Sequence, residues 1–218
     1  MVRSNGERHT WLRWCGAVLV ALVSAAPVTA TIKELANDSF IGVGSITCQI
    51  GFAEGESAAV KLTAAAGDYP YQIRKVRMLI CPASTSGFVI LRIYEDNTGT
   101  VIPGPIIYEE IVQVTGSDDA LNEVDLTLQA IVIPSGSVRV ELEWFQASPP
   151  GVGHDLDGYI ANHNYIYANP PGAWFYANQL GVTGDWIIRM EIETGAETPI
   201  FTDGFESGNT TEWTFTQP

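Results

Sequence analysis

Hydrophobic and polar residues alternate with a period of two along most of the chain. Ile46, Cys48, Ile50 and Phe52 alternate with Thr47, Gln49 and Gly51, and Ala58, Val60 and Leu62 repeat the pattern around Lys61. Val76, Met78 and Ile80 form one face of a run whose other face carries Arg77, Leu79 and Cys81. Val89, Leu91 and Ile93 alternate with Ile90, Arg92 and Tyr94, and Val124, Leu126 and Leu128 alternate with Asp125, Thr127 and Gln129. The clearest run is Val138, Val140, Leu142 and Trp144, interleaved with Arg139, Glu141 and Glu143; Trp186, Ile188, Met190 and Ile192 end the series. Successive strand side chains point to opposite faces, so each run predicts a strand with one buried and one wetted face. Turn formers separate the runs, among them Gly67-Asp68-Tyr69-Pro70, Asp96-Asn97-Thr98-Gly99 and Pro170-Pro171-Gly172.

No run past residue 30 keeps a helical period. The expected fold is therefore all-β, a two-sheet antiparallel β-sandwich of jelly-roll-like kind. The alternation stops at Thr194, and Gly195-Ala196-Glu197-Thr198-Pro199 reads as a linker to a polar tail. The organisation expected is a leader over 1–30, a sandwich over 31–194, and linker and tail over 195–218.

The first thirty residues change the compartment. Arg3, Arg8 and Arg13 precede an apolar stretch from Cys15 to Ala26, and Val28-Thr29-Ala30 offers small residues for cleavage. These are the three parts of a secretory signal peptide. An uncleaved anchor would need roughly 20 apolar residues to span a bilayer. The expectation is cleavage before Thr31, release as a secreted or surface protein, and no membrane insertion of the mature chain. That segment holds three of the 11 basic residues and one of the 25 acidic ones, so the rest carries a formal charge of about −16. Nucleic acid is a poor partner for so few cations, because phosphates need Lys and Arg to replace their counterions. Two cysteines remain, Cys48 and Cys81. In an oxidising compartment such a pair is expected as a disulfide.

Candidate chemistry is sparse. No Gly-x-Ser-x-Gly elbow, zinc-protease helix or phosphate loop is present. Catalytic residues are therefore not assigned, and paired-carboxylate hydrolysis of polysaccharide stays as the alternative function. In His154-Asp155-Leu156-Asp157-Gly158, Asp155 and Asp157 could turn oxygens toward a calcium ion, although the distal acidic ligand of a calcium loop is missing and a solvated turn is the competing reading. No other cofactor is expected.

The aromatic string is richer. Tyr159, Tyr165, Tyr167, Trp174, Phe175 and Tyr176 crowd together with Asn162, Asn164, Asn169 and Asn178. Flat rings beside amides suit sugar faces and hydroxyls. Tyr159, Tyr165, Trp174, Phe175, Tyr176, Asn164 and Asn178 are therefore the candidate glycan contacts, set at least in part on a loop around Pro170-Pro171-Gly172. Rings packed into the core are the alternative, and suit Trp174 and Tyr167 best. The function expected is a non-catalytic binding or adhesive domain with glycan or a cell-surface component as partner; a structural surface protein without small ligand is the third possibility.

Two stretches carry a resemblance. Tyr69-Pro70-Tyr71-Gln72-Ile73, Ile93-Tyr94-Glu95-Asp96-Asn97 with Pro103-Gly104, and Gly184-Asp185-Trp186-Ile187-Ile188-Arg189 resemble a family of β-sandwich domains in secreted bacterial proteins. Its members occur alone and beside enzyme or adhesin domains. The resemblance implies a sandwich fold and an exported setting, and brings no catalytic residues. Phe201-Thr202-Asp203-Gly204-Phe205-Glu206-Ser207-Gly208-Asn209-Thr210-Thr211-Glu212-Trp213 resembles a short C-terminal segment of exported Gram-negative proteins. It implies a sorting or attachment role, with a solvated tail as the alternative.

Overall fold

The computed structural model describes residues 30–42, 46–147 and 149–195. The residues before 30, expected as a leader, and those after Gly195, expected as linker and tail, lie outside them. The described residues form fourteen strands and three short 3-10 turns. In chain order the strands are β1 (Thr31–Leu35), β2 (Ile46–Gln49), β3 (Ser57–Thr63), β4 (Tyr71–Met78), β5 (Ile80–Cys81), β6 (Ser86–Glu95) and β7 (Ile106–Thr115), followed by β8 (Asn122–Asp125), β9 (Val132–Ile133), β10 (Ser137–Trp144), β11 (Gly151–Asp155), β12 (Asn164–Ala168), β13 (Ala173–Tyr176) and β14 (Ile188–Thr194).

Two antiparallel sheets face each other, so the chain is an all-β sandwich. One runs β13-β12-β3-β10-β6-β7; the other runs β1-β14-β4-β8, with β9 pairing the start of β4. A third, small sheet β2-β11-β5 lies beside them. The core is built as the alternation requires. Val60, Leu62, Leu91, Ile93, Val138, Val140 and Leu142 come from the first sheet, and Ile73, Val76, Met78, Ile188, Met190 and Ile192 from the second. Burying each such side chain contributes roughly 1.5–3 kcal/mol. Phe52 stacks on Trp144 with ring centres 4.0 Å apart, closing one end of this core.

Cys48 and Cys81 form the expected disulfide, with Cα atoms 5.8 Å apart. It ties β2 to β5 across the strand between them, where Cys48 opposes Gly153 and Cys81 opposes Gly151.

Several expectations change. The run through Leu126 and Leu128 does not stay a strand. β8 ends at Asp125, a 3-10 turn follows, and Leu128 is 95% exposed while Leu126 is buried. The run from Val76 to Cys81 is two strands in two sheets, with the chain passing between them at Leu79. Strands β1, β7 and β11 carry no clean alternation and were not expected. For β11 the reason is burial of all five residues, which leaves no wetted face to mark a period. The largest departure is β10. Arg139 and Glu141, expected on a wetted face, are buried at 0% and 2% exposure.

Candidate functional site

The two outer faces of the sandwich differ in chemistry. On the outer face of β1-β14-β4-β8, Arg77 bridges Glu34, Glu123 and Glu191, and Arg189 joins Glu34 to Asp38. Such a lattice of charges contributes little per pair in water. It presents no flat apolar surface.

The outer face of the six-stranded sheet is aromatic toward the β12–β13 hairpin. Strand register sets this out. Glu143, Ser57, Tyr167 and Trp174 form one row across four strands; Glu141, Ala59, Tyr165 and Tyr176 form the next; Arg139 and Lys61 lie in the third. Ala59 has only a methyl group, which leaves room for the Arg139 side chain to cross toward Tyr165. Its guanidinium carbon stands 3.6 Å from the Tyr165 ring centre and 5.3 Å from that of Trp174. A cation over such a ring face is attracted by the ring quadrupole. Tyr167 meets Trp174 edge-on at 5.5 Å, and Tyr176 lies 5.4 Å from Tyr165.

The segment after β6 fixes Arg139 from the other side. Asp96 accepts from its Nε at 3.0 Å and its Nη2 at 2.8 Å, and the Val101 carbonyl accepts from Nη1 at 2.6 Å. The other Asp96 oxygen is buried without a protein partner among the described residues. Glu141 is held similarly, accepting from the Ser57 hydroxyl at 2.5 Å, from the Tyr94 hydroxyl and from Arg92 at 3.5 Å. Arg92 also binds Glu109 and Glu143. The Ser57 hydroxyl is fully buried, so the Ser57–Glu141 contact is closed to a substrate. Burial pushes the Tyr165 hydroxyl up to about 12, so it remains a neutral donor, here to the Asn162 carbonyl at 2.7 Å.

The expected site residues therefore separate. Trp174 and Tyr176 are half-buried on the outer face of β13, an edge strand, with Tyr167 beside them. They stand on a strand hairpin whose turn is Pro170-Pro171-Gly172, not on a free loop. Phe175 points to the opposite face, the one used by its partner Ile166. Tyr165 is buried beneath Arg139. Asn164 is wholly buried: it donates to Asp185, and its oxygen accepts from the Trp186 backbone at 3.0 Å. Its amide is thus an internal fastener. Tyr159 is half-buried with its hydroxyl enclosed, and Asn178 is exposed on a 3-10 turn.

The aspartates weighed as calcium ligands lie at the end of β11. Both Asp155 oxygens accept backbone N–H groups, from Asp185 at 3.0 Å and Ser39 at 2.9 Å, and Asp157 accepts from the Ser39 hydroxyl. They anchor the segment after β1. A Cβ on Gly184 would lie 1.6 Å from the Asp155 carbonyl oxygen, so only glycine permits this approach. Among the described residues no cluster of three or more His, Cys, Asp or Glu side chains is placed to hold a metal ion. Sequence reasoning missed Arg139, Asp96 and Glu141. The signal for Arg139 and Glu141 was present only as charged residues within a strongly apolar strand, and Asp96 read as a turn former after β6.

No family model and no curated protein matches the chain. Among solved structures, it is similar to the clostridial cysteine protease Cwp84 after propeptide cleavage, at 15% identity and a TM-score of 0.48. That match covers 76% of this chain and 40% of the protease chain, less than half its length. Among the described residues no helix is long and apolar enough to cross a membrane.

Proposed function

We propose that the chain is a secreted, non-catalytic binding or adhesive module whose ligand class is glycan, and that the outer face of the β12–β13 hairpin is its binding surface. One observation carries the reading: Trp174, Tyr167 and Tyr176 share one face of an edge hairpin, half-exposed, with Arg139 fixed against Trp174. Rings held in place in advance lose little entropy on binding, and a sugar face covers them without displacing core. The Cys48–Cys81 disulfide supports an oxidising compartment, in keeping with the leader-like residues 1–30.

A glycan array probed with the wild-type chain, Trp174→Ala and Tyr176→Ala tests this. Each truncation is expected to weaken binding by about 1–3 kcal/mol while the melting temperature stays close to wild type. An empty array for the wild type, with both variants losing roughly 3–5 kcal/mol of stability, would identify the rings as core and remove the proposal. Release of reducing ends from a polysaccharide panel would replace it with the hydrolase.

A further inference from the structure

Lys61 stands apart from every other cation among the described residues. Lys33, Arg74, Lys75, Arg77, Arg92, Arg139 and Arg189 each form at least one ion pair; Lys61 forms none. Acidic residues outnumber basic ones 25 to 11 along the chain, so an unpaired lysine is not explained by a shortage of acids. Its place is specific. Lys61 lies on the outer face of β3, directly opposite Arg139 on β10, and its backbone donates to the His163 carbonyl at 2.7 Å. Like charges directly opposite each other across two strands are unfavourable. Asp96 compensates Arg139, and the Ser57, Tyr94 and Arg92 side chains occupy Glu141. The neighbouring carboxylates are thus engaged elsewhere, and Lys61, a half-exposed residue, stands one row from Tyr165 and Tyr176.

We infer that the aromatic face takes a sugar bearing an anionic substituent, a carboxylate or a sulfate, and that Lys61 pairs with that group while the rings take the sugar face. The inference rests on the proposed glycan reading and adds the charge of the ligand to it. The chain's overall negative charge does not oppose this at close range, because charges beyond roughly 8 Å are largely screened at physiological ionic strength.

Three immobilised probes test it: a polyuronate, a sulfated polysaccharide, and a neutral polysaccharide of comparable length. The wild-type chain should retain at least one anionic probe more strongly than the neutral one. Lys61→Gln should lower that retention by up to about fivefold, the upper end for a solvent-exposed ion pair, without changing the neutral signal. Lys61→Arg should restore it. Unchanged melting of Lys61→Gln keeps the comparison one of binding alone. Equal retention of neutral and anionic probes, unaffected by Lys61→Gln, overturns the inference and leaves the glycan reading intact. No retention of any glycan overturns both.

Discussion

The Arg139 guanidinium lies 3.6 Å from the centre of the Tyr165 ring, on the face of the sheet turned away from the sandwich core. Neither residue is solvent-exposed there, since Arg139 is buried at 0% and Tyr165 at 2%. The pair converts what would be a wetted sheet surface into a second, polar layer, with the Trp174 ring centre 5.3 Å from the same guanidinium.

Removing one member of this layer should be costly. Arg139→Met leaves the Asp96 carboxylate buried without its cation, and breaking a buried pair in this way costs about 3–5 kcal/mol. Arg139→Met combined with Asp96→Leu should recover a large part of that loss. Urea denaturation of the two single variants and the double variant measures the coupling, and strict additivity would show that the pair does not act as a unit.

The aromatic residues should divide by face. Tyr165→Ala removes a fully packed ring and is expected to lower stability by roughly 3–5 kcal/mol. Tyr176→Ala, one strand further out and half-exposed, should cost much less. Thermal melts of the two variants side by side check the division, and equal losses would place both rings in the core.

The disulfide closes a separation of 33 residues, which in the chain-entropy model stabilises the fold by about 3–4 kcal/mol. Cys48→Ser with Cys81→Ser should lose an amount of that order. Peptide mapping without reductant should find neither thiol alkylated.

Stability should fall as the pH is lowered from about 7.5 to about 6. His154 is 5% exposed, and burial holds its imidazole below the ordinary histidine value of 6.5. The unfolded chain then takes up a proton that the folded chain resists, so the contribution is present above the unfolded value and is lost as the pH falls below it. Burial acts in the opposite direction on Asp38 and Asp185, raising both above the usual carboxylate value of 3.8; protonating them at lower pH favours the folded state. The histidine slope is therefore read above their range. Denaturant midpoints across this window should fall for the wild type and flatten for His154→Phe.

The periodicity of residues by itself determined that the protein is a sandwich of antiparallel sheets, because a period of two places every second side chain in a common core whatever the strand order. That Val138, Val140, Leu142 and Trp144 turn to the core could be read without knowing any neighbour of β10. The Cys48–Cys81 pairing was legible for a similar reason: only two cysteines follow the leader-like segment. What lay outside the reach of the sequence was the fate of the other face. Whether Arg139 meets water or the Tyr165 ring depends on Ala59 between them and on Asp96 folding back from the end of β6, both of them distant from Arg139 along the chain, Asp96 by 43 positions. Asn164 was expected at a ligand for the same reason, whereas Leu128 was misplaced because the strand ends at Asp125 and a 3-10 turn follows. Composition specifies which side chains can bind sugar or fill a core, but the partner that occupies each one is chosen by strand register, and only the tertiary structure sets that register.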